Sequence, residues 1–197
     1  VLVSYSGELW ELQPVEVRAR PRPAAATAVL PAPELDAFDQ AGVSPDALRS
    51  YLLANNLALI VSRDVTTRDD FDRQQPFNLR VPGGVQTIGA SGTIYDVVYM
   101  QLFQADLIRG IGGTTDPRPG RRVLAQPMHD PAAQNPPTGG PSASVAVAPD
   151  GSVAAFVPAS RAVTWQLTDE AGEGVVRERY WLTFQPGEIR VCTSCHG

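Results

Sequence analysis

Several residue types are scarce or missing in this chain. Its 197 residues include no lysine and only two each of cysteine, histidine and methionine. The 16 basic residues, all arginine, are outnumbered by 21 acidic ones, so the formal net charge is −5 at pH 7. An acidic surface disfavours binding to the phosphates of nucleic acid. Without lysine there is no lysine-rich docking surface for acidic partners. With two histidines and no Ser-His-Asp arrangement, hydrolytic base chemistry has few candidate residues.

Long apolar runs are also missing, since none approaches the roughly 20 residues that a membrane-spanning helix needs. The hydrophobic content of 43% is sufficient for one large or two small domains. Eighteen prolines and 17 glycines favour short strands joined by turns over a helical protein. Because the chain starts at Val1 and shows no signal peptide, we expect it to be a segment of a longer polypeptide.

The scarce residues converge near the end of the chain, where Cys192, Cys195 and His196 form a Cys-x-x-Cys-His motif. This spacing is typical of covalent attachment of a c-type haem. Two thiols at this separation can each form a thioether to the same porphyrin, and the histidine can coordinate the iron. We therefore predict one covalent haem c on Cys192 and Cys195, with His196 as the proximal ligand.

Two other interpretations of the motif stay open. A redox disulfide between the two cysteines is one, although thioredoxin-type Cys-x-x-Cys motifs open a helix within βαβ units and no such pattern is present. Half of a zinc site is the other. A structural zinc takes four ligands, so the fourth would have to be His129 or come from a partner.

The sixth iron ligand would decide the chemistry. A strong ligand favours electron transfer, whereas an open position permits reactions of small molecules. The predicted distal ligand is His129 or Met128, since the chain has one further methionine, Met100, and no further histidine. Alternatively, His129 is a loop residue bonded to Asp130 or to the backbone, or another domain completes the site.

The N-terminal part of the chain reads differently from the rest. Residues 1–12 look like the last strand or two of an upstream unit, and residues 13–34 form an Arg-Pro and alanine-rich extended linker. Residues 35–197 are predicted to form one β domain that ends in the haem motif. Its clearest helix spans residues 44–56, with Ser44 as the N-cap and Pro45 at the first helical position.

The remaining segments have the patterns of strands. We predict strands at residues 57–61, 123–128 and 189–191, one or two central strands at residues 93–108, and two hairpins that pair residues 144–148 with 153–157 and residues 162–168 with 175–184. The expected fold class is all-β, a β-sandwich of short antiparallel strands with one or two short helices and a C-terminal c-type haem motif.

The order of these motifs resembles a known family. Residues 148–159 (APDGSVAAFVPA), 164–169 (TWQLTD) and 185–190 (QPGEIR), followed by the Cys-x-x-Cys-His motif, are similar to the middle domain of the hydrazine synthase alpha subunit and its relatives. The resemblance covers residues 90–197. It implies an exported, periplasmic or extracellular haem protein in which a β-propeller, ending at residues 1–12, precedes this domain.

These observations predict a c-type haem domain that transfers electrons within a larger exported redox protein. Its partner would be a redox protein or a neighbouring haem domain, as part of a longer chain or complex. One alternative is a haem enzyme domain that acts on a small nitrogen or oxygen compound. Another is a β-sandwich interaction module whose Cys-x-x-Cys-His binds zinc or forms a disulfide. The sequence identifies no catalytic residue and no substrate.

Overall fold

The computed structural model describes residues 6–7, 29–67, 78–85, 93–109 and 121–193. Two helices come first, α1 (Ala32–Gln40) and α2 (Pro45–Ala54). Strands follow along the rest of the described chain: β1 (Leu57–Ser62), β2 (Asn78–Arg80), β3 (Ile94–Asp96), β4 (Tyr99–Arg109), β5 (Arg121–Pro127), β6 (Ser144–Ala146), β7 (Val153–Pro158), β8 (Ala162–Thr168), β9 (Gly174–Arg177), β10 (Leu182–Thr183) and β11 (Ile189–Cys192).

Local signals at both ends define α2, as predicted. The Ser44 hydroxyl accepts the N–H of Ala47 at 3.3 Å, Pro45 occupies the first turn, and Asn55 ends the helix. The other helix, α1, begins at Ala32, within the segment predicted as linker. It is anchored there because Leu30 and Glu34 are both buried.

The smaller of the two packed sheets has three strands in the order β11-β1-β7. Its central strand β1 pairs in parallel with β11 and antiparallel with β7. Leu57 and Leu59 pack into a cluster with residues of the helices, whereas Ala58 and Ile60 pack into the core on the opposite face. A strand buried on both faces is apolar throughout, which is why residues 57–61 stand out in the sequence.

The larger sheet has six strands. Its main order is β10-β8-β4-β5, with β6 also paired to β4 and β9 to β8, and all of its pairings are antiparallel. The long strand β4 lies in the middle of this sheet, as expected for the β-branched and aromatic residues of 93–108. A separate two-stranded sheet joins β2 and β3 in parallel.

The main core lies between the two larger sheets. It combines Ile60 of β1 and Val157 of β7 with Met100 and Leu102 of β4 and Val163 of β8. The all-β sandwich-like architecture with two short helices is therefore confirmed. The pairing is not purely antiparallel, because β11 joins β1 in the same direction.

The first predicted hairpin is wrong, although its turn is present. Gly151 has φ of 81°, and the Asp150 carboxylate accepts the N–H and hydroxyl of Ser152 at 2.9 and 2.6 Å. The strands on either side separate, since β6 pairs with β4 and β7 with β1. Turn residues specify a chain reversal, whereas the choice of partner is made by the two sheets that meet at this corner.

The second predicted hairpin forms in two parts. β8 pairs first with β9 and then with β10, both antiparallel. The Glu178 N–H still donates to the carbonyl of Trp165 at 2.9 Å, and its carbonyl accepts the Thr164 hydroxyl at 3.2 Å, whereas residues 179–181 leave the ladder. The interruption leaves Tyr180 and Trp181 exposed at the edge of the sheet.

Candidate site around Cys192

The first cysteine of the motif is the last residue of an edge strand. Cys192 ends β11 and lies in register with Ser62 at the end of β1. Its carbonyl accepts the N–H of Arg63 at 3.1 Å, which extends the parallel ladder by one bond. The position of Cys192 is therefore set by the central strand of the smaller sheet. The other two predicted attachment residues, Cys195 and His196, lie outside the described residues.

The face on which Cys192 lies follows from its neighbours. Ile189 and Val191 pack into the cluster beneath the helices, so the intervening residues of β11 face the opposite side, toward the larger sheet. On that side the Arg190 guanidinium lies 4.9 Å from the centre of the Phe184 ring, and its Nε donates to Glu188 at 2.6 Å. The half-buried Cys192 thus lies where the two sheets meet, beside the main core.

Its environment disfavours the thiolate. Burial raises the pKa of the Cys192 thiol, the charge of Arg190 acts in the opposite direction, and the charge of Glu178 adds to the increase. Reactive cysteines of dithiol redox motifs ordinarily have a lowered pKa. The surroundings of Cys192 therefore differ from those of a thiol tuned for disulfide exchange.

A buried hydroxyl next to Cys192 has no partner among the described residues. The Oγ of Ser62 is inaccessible to solvent and makes no hydrogen bond there. In a parallel pair, residues in register project from the same face, so Ser62 and Cys192 are side by side. Buried polar atoms are nearly always satisfied. The described residues include one other such hydroxyl, that of Thr168, so the Ser62 hydroxyl is compatible with a group bound at the cysteine but does not require one.

The predicted distal ligands lie in the connection after β5. The N–H of Met128 donates to the carbonyl of Leu102 at 2.9 Å, and its half-buried side chain contacts both core clusters. His129 follows in the more exposed position, with more than half of its side chain accessible. Met128 and His129 therefore extend the larger sheet, whereas Cys192 belongs to the smaller one.

Both ring nitrogens of His129 have partners. Nδ1 lies 3.0 Å from the carbonyl of Pro127, and Nε2 lies 3.0 Å from the side-chain nitrogen of Gln104. The Gln104 amide oxygen accepts the backbone N–H of His129 at 3.2 Å, which turns the amide NH₂ toward Nε2. With the hydrogen on Nδ1, Nε2 accepts from the Gln104 amide, and a carboxylate oxygen of Asp106 also lies 3.5 Å from Nε2. The alternative interpretation of His129, a loop residue bonded to the backbone, expected such a bond, and it is present to the carbonyl of Pro127.

The loop that begins at His129 runs to the far edge of the smaller sheet. The side chain of Asn135 accepts the N–H of Phe156 at 2.8 Å and donates to its carbonyl at 3.0 Å. It thereby covers the free edge of β7, and β7 and β11 are the opposite edges of that sheet. Since His196 lies outside the described residues, distal ligation by His129 or Met128 stays a prediction.

A charged pair that no sequence pattern predicted also reaches this site. Arg63, whose N–H holds the Cys192 carbonyl, forms an ion pair with Glu34 of α1 across 29 positions of sequence. No local motif marks residues so far apart. In the parts of the chain that the structure describes, no group of three or more His, Cys, Asp or Glu side chains could hold a metal ion. None of the helices described is long and apolar enough to cross a membrane.

The described residues define an all-β domain of two packed sheets with a cysteine at the end of an edge strand. Residues 142–197 match the family model of the hydrazine synthase alpha subunit middle domain. The resemblance predicted from the sequence is confirmed over this stretch, which is shorter than residues 90–197 and contains the whole motif.

One similar solved structure is the hydrazine synthase of Kuenenia stuttgartiensis. It shares 16% sequence identity over 72% of this chain, with a TM-score of 0.42. The chain spans 17% of the length of that solved chain. A search of the curated proteins finds no match.

Proposed function

We propose that this domain binds one covalent c-type haem and transfers electrons within a larger exported redox protein. The observation that carries the proposal is the placement of Cys192, the first motif cysteine, at the end of a sheet-anchored strand beside the unsatisfied hydroxyl of Ser62. The match to the alpha subunit middle domain, which includes residues 192–197, supports the same conclusion.

Each residue of the motif has a chemical role in this proposal. Cys192 and Cys195 would hold the haem through two thioethers, and adding each thiol S–H across a vinyl double bond would lose no atom and need no oxidant. His196 provides the proximal imidazole. The haem supplies a one-electron couple when bound. The protein holds Cys192 on a rigid ladder, with the Arg63 N–H on its carbonyl.

The wider setting is proposed from the chemistry and the family. Haem attachment of this type is completed outside the cytoplasm, which supports a periplasmic or extracellular location. The match of residues 142–197 to the middle domain of a larger subunit supports a longer polypeptide or complex, with a neighbouring haem domain or redox protein as partner.

A haem enzyme domain is the second candidate. Both ring nitrogens of His129 have partners, Pro127 and Gln104, so a His129 that keeps these bonds would not coordinate the iron. The sixth position would then be open unless Met128 or another domain supplies a ligand. The substrate would then be a small nitrogen or oxygen compound. The larger protein to which the family model belongs makes a nitrogen compound the first to try.

Absorption spectroscopy of the full polypeptide, produced with a haem-attachment system, tests both candidates. Oxidised and reduced spectra would be recorded with and without carbon monoxide, using Cys192→Ser/Cys195→Ser as the control that loses covalent haem. A low-spin spectrum indifferent to carbon monoxide supports electron transfer. A high-spin spectrum that shifts with carbon monoxide supports the enzyme.

Further outcomes of the same experiment assign the sixth ligand or overturn the proposal. Loss of the low-spin signature in His129→Ala or in Met128→Ala would identify the distal ligand, and an unchanged signature in both would exclude the pair. A wild-type protein with no haem band would overturn both haem candidates and leave the zinc or disulfide module.

A further inference from the structure

Arg63 contacts both α1 and the strand β11. Its guanidinium binds Glu34 of α1 through two parallel hydrogen bonds, from Nε to Oε1 at 2.6 Å and from Nη2 to Oε2 at 2.8 Å. Glu34 is buried, with 6% of its surface exposed. Two bonds between the planar guanidinium and a carboxylate define orientation as well as distance.

The other contact of Arg63 is made by its backbone. The Arg63 N–H donates to the carbonyl of Cys192 at 3.1 Å, immediately beyond the register pair of Ser62 and Cys192. Among the described residues, this is the last ladder bond between β1 and β11. The ion pair therefore acts on Cys192 through the main chain of Arg63, without touching the thiol.

Apolar packing supports the same connection. Leu30, which precedes α1, belongs to the cluster that also contains Ile189 and, at its margin, Val191 of β11. The start of α1 and the strand that carries Cys192 therefore rest on one core. A shift of α1 would move both the carboxylate of Glu34 and the apolar support of β11.

We propose that the Glu34–Arg63 ion pair positions Cys192 for haem attachment and couples the haem site to α1. The inference rests on the proposed haem function. An ion pair with a buried carboxylate is a poor source of net stability compared with apolar residues of similar volume. A positioning role explains its place here, one residue beyond the strand pair that presents the cysteine.

The first test is independent of haem. Hydrogen exchange of the Arg63 amide would be compared in the wild type, in Glu34→Gln and in a matched control, Asp96→Asn. The control removes a carboxylate from the exposed Arg80–Asp96 pair, whose Nε to Oδ1 distance is also 2.6 Å. We expect exchange at Arg63 to become about tenfold faster in Glu34→Gln and to stay unchanged in Asp96→Asn. Unchanged exchange in Glu34→Gln would overturn the coupling.

The second test reads the haem itself in the full polypeptide. The fraction of haem held by both thioethers and its reduction potential would be measured for the same variants, with Glu34→Asp as the conservative rescue. We expect Glu34→Gln to lower doubly attached haem severalfold and to shift the potential, with partial recovery in Glu34→Asp. A wild type with haem and a Glu34→Gln variant with the same haem content and potential would overturn only the positioning role. A wild type without haem would overturn the proposed function instead.

Discussion

The two larger sheets of this domain are covered differently. The three-stranded sheet is buried on both faces, by the helices on one side and the second sheet on the other, and its central strand is apolar at consecutive positions. The six-stranded sheet has its apolar core on one face. On its other face Gln166 donates to Gln101 at 2.8 Å, and Gln101 donates to the carbonyl of Ser142 at 3.0 Å.

The residues of the candidate site are divided between these two differently packed sheets. Strands packed on two faces leave little room for adjustment because protein interiors are close-packed. The candidate attachment residue Cys192 belongs to that sheet, whereas the predicted distal ligands, Met128 and His129, extend the sheet with a polar outer face. We therefore expect substitutions in the two sheets to differ in size and in kind.

The largest effect is expected on the helix-facing side of β1. Leu57→Ala removes a side chain that is 1% exposed and leaves a cavity between β1 and the helices. It should lower the free energy of unfolding by about 2–5 kcal/mol, as measured by denaturant unfolding. The control is Leu53→Ala on α2. Leu53 is 63% exposed, so this substitution should change the free energy of unfolding by less than about 0.5 kcal/mol. Equal effects would contradict burial of the smaller sheet on both faces.

An intermediate effect is expected on the outer face of the larger sheet. Gln166→Leu leaves the buried oxygen of Gln101 without its donor and should cost about 1–3 kcal/mol in unfolding free energy. The double variant Gln101→Leu/Gln166→Leu should be less destabilised than the sum of the two single variants, because neither partner is then stranded. Strict additivity in this double-mutant cycle would show that the two amides do not interact.

A pH-dependent effect is expected at the Glu34–Arg63 pair. The side-chain hydrogen bond from Arg63 is the main reason that the pKa of Glu34 lies below its ordinary value of 4.5. The folded state therefore releases this proton more readily than the unfolded state. The resulting stabilisation is present above pH 4.5 and is lost as the pH falls through the lower folded value.

Unfolding free energies measured between pH 3 and pH 7 would check this expectation. The wild type should lose more stability on acidification than Glu34→Gln, which has no proton to bind at this position. The curve of Asp96→Asn should follow that of the wild type more closely. Parallel curves for the wild type and Glu34→Gln would contradict the assigned shift.

The smallest effect is a gain in stability beside the larger sheet. Ala143 has φ of 61°, in the left-handed region, while its carbonyl accepts the N–H of Leu102 at 2.9 Å. Ala143→Gly should relieve this strain and raise the melting temperature, with a gain of about 0.5–1 kcal/mol after the entropy of the unfolded chain is included. Ala146→Gly, on the neighbouring strand β6, should be destabilising. A loss of stability in Ala143→Gly would contradict the strained conformation.

Short-range patterns predicted much of the secondary structure. The capping residues of α2, the apolar run of β1 and the long pattern of β4 all describe interactions within a few residues, and each of these elements formed. The prediction of the first hairpin was wrong because turn residues do not determine which sheet each flanking strand joins. The start of α1 was not predicted from the sequence, because Leu30 and Glu34 are held by distant partners and no local signal marks them.

The sequence by itself determined the class of fold, the family resemblance over residues 142–197 and the Cys-x-x-Cys-His motif, because these depend on residue types at short separations. Only the tertiary structure decided that β11 pairs in parallel with β1, that Ser62 lies beside Cys192, and that Glu34 of α1 binds Arg63. Those arrangements join residues that are 29 or more positions apart in the sequence. Their energies come from packing and hydrogen bonds that exist only after the chain has folded, so no local pattern encodes them.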